Sequence, residues 1–309
     1  MKIIMYHYIK DFKKTDFPYL KGLDIKNFRF QIKFLKSKFK ILDPFDIHEL
    51  FLKKKKMEEN YCWLTFDDGH IDHYENVIPI LEENKIKASF FAPVKSTKQD
   101  TILDVNKIQL ILGKSNNFDE LLSDIKEIFS NLNSNKKYSS IDYFIKKVDT
   151  ENRFDNPKTI LIKRLLQKDL PKVLRETICD KIFKKYFSNN ITEMAKKFYM
   201  SLGQLKEIYK MGHEIGLHGY NHEWYTMLSE KEQFEEISDT INFWKKNSLL
   251  KNNFTMCYPY GDYNQNTIEI LRNLNCSLAL TTKVASVPLS GYEKLELPRY
   301  DTNDFPKAP

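Results

Sequence analysis

The chain has 309 residues, enough for one large α/β domain or two ordinary ones, and its apolar fraction is that of a globular protein. A net charge of +7 accompanies 42 acidic residues; no aromatic-interleaved basic stripe or nucleic-acid motif stands out, so nucleic acid is not an expected partner. The N-terminal apolar run is too short for a signal-peptide core and no window of about eighteen apolar residues follows, so a soluble cytoplasmic chain without a transmembrane segment is expected.

In chain order, residues 2–6 predict a strand ending at Tyr6-His7, and Phe28, Ile32 and Leu35 mark a helix around Phe28 to Lys38. Ile41 and Leu42 can add a strand, and Asp43-Pro44 opens a helix to about Lys54. The run Lys53 to Lys56 at its end reads as a solvated face. Cys62 to Phe66 predicts a buried strand, Asn76 to Asn84 a helix and Ala88 to Ala92 the next strand; such alternation implies parallel strands with crossover helices. From about 97 to 198 the pattern turns to lysine-rich helical stretches, including Leu161 to Leu170 and Val173 to Phe187, read as an insertion in a single 1–309 domain. The alternation then resumes, with a helix at Leu202 to Met211, a strand at His213 to Leu217 and a long helix at Ser229 to Asn247. A strand at Thr255 to Tyr258, a helix at Asn266 to Leu274 and strands at Ser277 to Leu280 and Leu295 to Pro298 complete the series. Cys62, Cys179, Cys257 and Cys276 lack paired metal-ligand spacing and read as buried thiols.

Two clusters carry chemistry. Asp67 and Asp68 end the Cys62 to Phe66 strand and precede Gly69, where the chain can turn both carboxylates toward one mouth; the same letters also make an ordinary solvated turn. Far downstream, His218 and His222 stand four apart after another apolar stretch, on one helix face or converged by a loop through Gly219. With Asp68 they form a His, His, carboxylate set that suits a catalytic divalent ion with an open position. His7, ending the first strand, is a further site candidate or a structural histidine. His70 and His73 approach an outer shell or only line the mouth, His213 reads as structural, and His48 on a helix face carries no signal. Tyr258, Pro259 and Tyr260, with Trp224 and Tyr225, are either a wall for a sugar ring or core packing.

In order and context these pieces resemble the polysaccharide deacetylase family, the NodB homology domain of carbohydrate esterase family four. Thr65-Phe-Asp-Asp-Gly69 looks like its first motif, His218-Gly-Tyr-Asn-His222 like its histidine motif, Tyr258-Pro-Tyr-Gly261 like its third, and Leu297-Pro-Arg299 falls where its last is expected. The resemblance covers about residues 1–95 and 200–305. It implies an α/β fold, a distorted incomplete (β/α)7 barrel with a helical insertion and the site at the strand C-terminal ends. It further implies Asp68, His218 and His222 as ligands of one divalent ion such as Zn2+ and Asp67 as the base; His7, from its strand end, and Tyr258, Pro259 and Tyr260, from their ring faces, are the substrate-side candidates. The chain departs from the family pattern twice. Cys257 stands where the family often has an arginine that orients the base, for which Arg299 is the substitute, and the last motif lacks the histidine that serves as acid. The implied activity is metal-dependent removal of an N-acetyl group from an amino sugar in surface-polysaccharide biosynthesis. The alternatives are hydrolysis of a non-sugar amide or O-acetyl ester, or a glycan-binding protein with weak catalysis.

Overall fold

The computed structural model describes residues 1–53, 58, 60–187, 190–288 and 290–309. Seven strands form the main path of the sheet, β1 (Lys2–Tyr6), β2 (Tyr61–Asp67), β3 (Ser89–Ala92), β4 (Glu214–Leu217), β5 (Thr255–Cys257), β6 (Leu278–Leu280) and β7 (Tyr300–Asp301), and a short eighth strand, Lys40–Ile41, pairs with the start of β2. All pairings are parallel, in the spatial order β7-β1-β2-β3-β4-β5-β6, and β1 and β2 run in register from Lys2 with Cys62 to Tyr6 with Phe66. Crossover helices such as Ile25–Lys38, Leu202–Lys210, Glu230–Lys246 and Gln265–Asn273 cover the sheet. The result is the α/β, distorted incomplete barrel that the sequence implies. Because the strands are parallel, their C-terminal ends share one rim, which is where such folds keep chemistry.

Strand alternation sorts the core into two faces. Tyr6, Phe66 and Phe90 are neighbours across the register and stack in sequence, with ring centroids 5.1 and 4.9 Å apart, under the surrounding helices. The other face carries Ile3, Trp63, Phe91, Cys257, Leu278 and Leu297, and among these apolar residues run two polar layers described below. Gly216 of β4 belongs to this face: a Cβ there would lie 2.3 Å from the Phe91 ring.

The last strand differs from expectation. Leu297 exchanges backbone hydrogen bonds with the β6 region (Leu297 N–H to Ala279 O and Thr281 N–H to Leu297 O, both 2.9 Å), but the paired strand is Tyr300–Asp301, against Ile4 and Met5 of β1. The next residue facing β6, Arg299, donates its N–H to Lys283 O beyond that strand, so the strand expected at Leu295 to Pro298 is a single bridge. The helix expected to reach Lys54 ends at Leu52; Lys53 caps it and pairs with Glu49, and Lys54, Lys55 and Lys56 lie outside the described residues. Cys62, Cys179 and Cys257 are buried, whereas Cys276 is only partly so.

The chain divides into two compact units. The first, Met1–Asp11 with Gly22–Thr101 and Ile191–Pro309, contains the seven strands. The second, Phe12–Lys21 with Ile102–Asn190, contains the helices Asp104–Lys114, Phe118–Leu132, Ile141–Lys147, Pro157–Arg164 and Lys172–Tyr186. Its Phe118–Leu132 helix buries Leu121, Ile125 and Phe129, a four-residue repeat that lays one apolar stripe inward.

Candidate active site

Alternation along β2 sends Trp63, Thr65 and Asp67 to the same face, and Asp67 is the strand's last residue. Asp68 then adopts φ +73° and Gly69 φ +69°, so the chain folds back over the rim and brings both carboxylates to one side. Glycine is required in the turn, since a Cβ on Gly69 would stand 2.7 Å from Ala92 Cβ. His218 follows β4 directly, and the segment to His222 is a loop rather than a helix, with φ +73° at Gly219 and +63° at His222. Glu236, on a helix behind it, accepts hydrogen bonds from the Asn221 backbone N–H (2.5 Å) and Nδ2 (2.8 Å), which pins the loop beside His222.

These turns converge three side chains. Nε2 of His218 lies 3.3 Å and Nε2 of His222 3.4 Å from Oδ1 of Asp68, and all three residues are buried. The ligand-capable atoms of Asp68, His218 and His222 lie within 4.8 Å of one another. Nδ1 of His218 is 2.8 Å from the Cys257 carbonyl oxygen, which turns its Nε2 toward Asp68, and Nδ1 of His222 has no hydrogen-bond partner among the described residues. A converging carboxylate and two imidazoles, one oriented from behind through its other nitrogen, fit a catalytic divalent ion. A second possible set, Asp67, His218 and Cys257, does not fit one: the Arg299 guanidinium already occupies it, and His218 Nδ1 faces a carbonyl.

Arg299 is 1% exposed and grips Asp67 at two points, Nη1 to Oδ1 at 2.9 Å and Nη2 to Oδ2 at 2.8 Å. Its remaining donors reach the Thr281 carbonyl, Thr65 Oγ1 and Cys257 Sγ. Burial alone would raise the Asp67 pKa; the charges of Arg299, His218 and His7, with the Arg299 hydrogen bonds, outweigh it and bring the carboxyl down to about 2. Asp68 is held well below the usual range in the same way, with burial opposed by the imidazoles of His218, His222 and His70 around it. Burial lowers His218, but Cys257, Asp68 and Asp67 more than reverse it and the imidazole is pushed well up; for His222 burial prevails and the shift is downward.

The sequence reads Cys257 as a buried thiol in the position of the family's base-orienting arginine. Its Sγ lies 3.4 Å from Asp67 Oδ2 and 3.1 Å from Arg299 Nη2, so it fills the slot beside the pair; its place next to the third motif was the available signal. Nε2 of His7 is 3.9 Å from Asp67 Oδ2, with the side chain 36% exposed. His70 and His73 do not line an open mouth: both are buried, His70 with Nε2 3.3 Å from Asp68 Oδ2 and His73 with Nε2 2.8 Å from the His7 carbonyl oxygen. Tyr258 is 1% exposed, stacks on Tyr263 and donates to the Leu295 carbonyl, and Pro259 is buried, so neither presents a face to a ligand. Tyr260 is partly exposed at φ +59°, edge-on to His222 at 4.6 Å and stacked on Trp224 at 4.2 Å, while Tyr225 is fully buried.

His48 also differs from its reading. It is buried, with Nε2 2.8 Å from Glu214 Oε1, and Glu214 accepts further hydrogen bonds from Ser89 and Thr255, while Trp63 donates to Ser89. Glu214 shares the inward parity of Gly216 and His218, so the strand carries it into the barrel, where paired polar groups satisfy it. His213 is buried outside that layer, accepting from the Ala88 N–H with Nε2 3.1 Å from Glu82.

The fold and site define an α/β-barrel protein with a buried carboxylate and imidazole centre at its strand ends. The family described as polysaccharide deacetylase matches residues 54–110 and 185–279, which carry β2 to β6 on either side of the helical stretch. The chain is similar in both matched stretches to the polysaccharide deacetylase family. It is 30% identical to YxkH of Bacillus subtilis (strain 168) over 97 residues, 31% of this chain and about a third (33%) of that protein's length. The fold is shared with the deacetylase PplD of Streptococcus pyogenes, solved in complex with acetate (TM-score 0.58, 18% identity, 97% of this chain and 91% of that one). It is shared too with IcaB of Ammonifex degensii (0.54, 16%, 96% and 89%) and a de-N-acetylase of Aggregatibacter actinomycetemcomitans (0.55, 13%, 97% and 95%). Among the described residues no helix is long and apolar enough to cross a membrane.

Proposed function

We propose that this chain is a polysaccharide deacetylase, a metal-dependent hydrolase that removes the N-acetyl group of an amino sugar. The observation that carries the reading is the two-point grip of Arg299 on Asp67 beside the Asp68, His218 and His222 set. Bound by those three residues, a divalent ion, in our reading Zn2+, would polarise the acetamide carbonyl and make a water more acidic. Asp67, ionised because Arg299 faces it, accepts the proton of the attacking water. The water oxygen adds to the carbonyl carbon, the C–N bond breaks, and the nitrogen must gain a proton to leave as an amine. His7 stands in for the histidine absent from the last motif: its Nε2 lies 3.9 Å from Asp67 Oδ2, its side chain is partly exposed, and its imidazole supplies the proton to the leaving nitrogen. Tyr260, backed by Trp224, offers the aromatic face for the sugar ring. The products are acetate and a free amino sugar.

The test pairs metal analysis of the purified chain with acetate release from free, nucleotide-linked, lipid-linked and polymeric N-acetyl sugars, together with O-acetyl esters. A cytoplasmic role would select the nucleotide-linked or lipid-linked substrates. We expect stoichiometric metal that is lost in Asp68→Ala, and acetate release that is abolished in Asp67→Asn with metal retained. A chain with neither metal nor turnover on any of these would overturn the reading and leave a glycan-binding protein.

A further inference from the structure

Three imidazoles surround the carboxylate of Asp68, and they divide its two oxygens between them. His218 and His222 both face Oδ1, at 3.3 and 3.4 Å, whereas Nε2 of His70 faces Oδ2 at 3.3 Å. The ring of His70 is 1% exposed and stacks on Tyr8 with centroids 4.0 Å apart, with Phe198 edge-on at 5.1 Å and Tyr199 beyond at 6.2 Å. A backbone bridge between His70 and Tyr199 holds the residue from the chain side. Neither ring nitrogen makes a hydrogen bond of good geometry among the described residues. A buried polar group in that condition costs stability, and a phenylalanine would fill the same aromatic slot without the cost. What the imidazole adds is a nitrogen 3.3 Å from Oδ2.

We propose that His70 is a positioning residue for the proposed metal centre, holding Oδ2 of Asp68 so that Oδ1 is left toward His218 and His222. The inference rests on the reading of Asp68, His218 and His222 as a metal site. A carboxylate that binds through one oxygen must be kept from rotating and from offering the other. In the tautomer protonated at Nε2, His70 sets the positive end of its N–H dipole 3.3 Å from Oδ2, and the surrounding rings hold it there. Partners of this kind, one step behind a ligand, are worth about 10- to 100-fold in metal affinity.

The experiment titrates Zn2+ into the chelator-stripped full-length chain by calorimetry or chelator competition, and follows the visible spectrum of Co2+ at the same site. His70→Phe keeps the aromatic stack and deletes the donor; we expect its Zn2+ dissociation constant to rise about 10- to 100-fold and the Co2+ bands to shift. His70→Gln restores an N–H near the Nε2 position and is expected to recover most of the affinity. The thermal midpoint of the metal-free protein should separate the variants from a folding defect, and His70→Met, also without a donor, replaces H70F should that variant fail to fold. Wild-type Zn2+ affinity in the donorless variant overturns the role of His70 alone. Failure of the wild-type chain to bind Zn2+ overturns the metal site, and this inference with it.

Discussion

Arg299 and Asp67 are each nearly sealed from solvent, so their pairing is an obligation as much as an attraction. Removing one partner of such a pair strands the other charge; we expect Arg299→Met to lose on the order of 3–5 kcal/mol in urea unfolding, together with activity. A variant that unfolds like the wild type would mean that Asp67 is satisfied without the guanidinium. For His7 the expectation is chemical rather than structural. An amine needs a proton to leave and a phenolate does not, so His7→Asn should cut acetate release from acetamides by about 10²- to 10⁴-fold while sparing aryl acetates and metal content. Equal loss on both substrate types would remove His7 from the proton-donor role. At this scale the sequence was partly legible. The residues that come together as Asp67, Asp68, His218 and His222 could be named because they sit in short motifs at or just beyond strand ends, as could Cys257 in the arginine position, but the pairing of His48 with Glu214 could not, because it is made across 166 positions.

At the scale of elements, the site depends on loops forced into left-handed turns and held from behind. The loop from His218 to His222 has no regular structure of its own, and Glu236 satisfies both the backbone and side-chain donors of Asn221. Glu236→Ala leaves those donors without their acceptor; a stability loss of about 1–3 kcal/mol and weaker Zn2+ binding are expected, measured by unfolding and by metal titration on the same variant. Retained affinity would show that Gly219 and the strand end suffice to place His222. The periodicities of the helices and strands were readable because each obeys one repeat, 3.6 or 2 residues. The final strand was not, because that segment is shared between two neighbours: Leu297 bonds to the β6 region, and Tyr300 pairs with β1.

Over the whole molecule, pH should act on stability through histidines buried neutral. Burial, then Lys87, brings His213 down to about 4 despite Glu82, and burial, then His70, brings His73 down to about 3. Both folded values lie below the ordinary 6.5 of an unfolded histidine, so the unfolded chain takes up protons first as the pH falls. Their contribution is therefore fully present above about 6.5 and is lost progressively toward 4 and below, by on the order of 3 kcal/mol for His213 alone. Urea midpoints from pH 7 to pH 4 should decline in the wild type and decline less in His213→Gln; parallel curves would exclude His213 as the titrating group. The sequence by itself determined the strand-helix alternation and the residue types available at each strand end, since both follow from local periodicity and from motifs a few residues long. Only the tertiary structure decided which of those residues meet. Closing parallel strands into a barrel sets Arg299 against Asp67 across 232 positions, and divides Asp68 among three histidines, by geometry that no local repeat encodes.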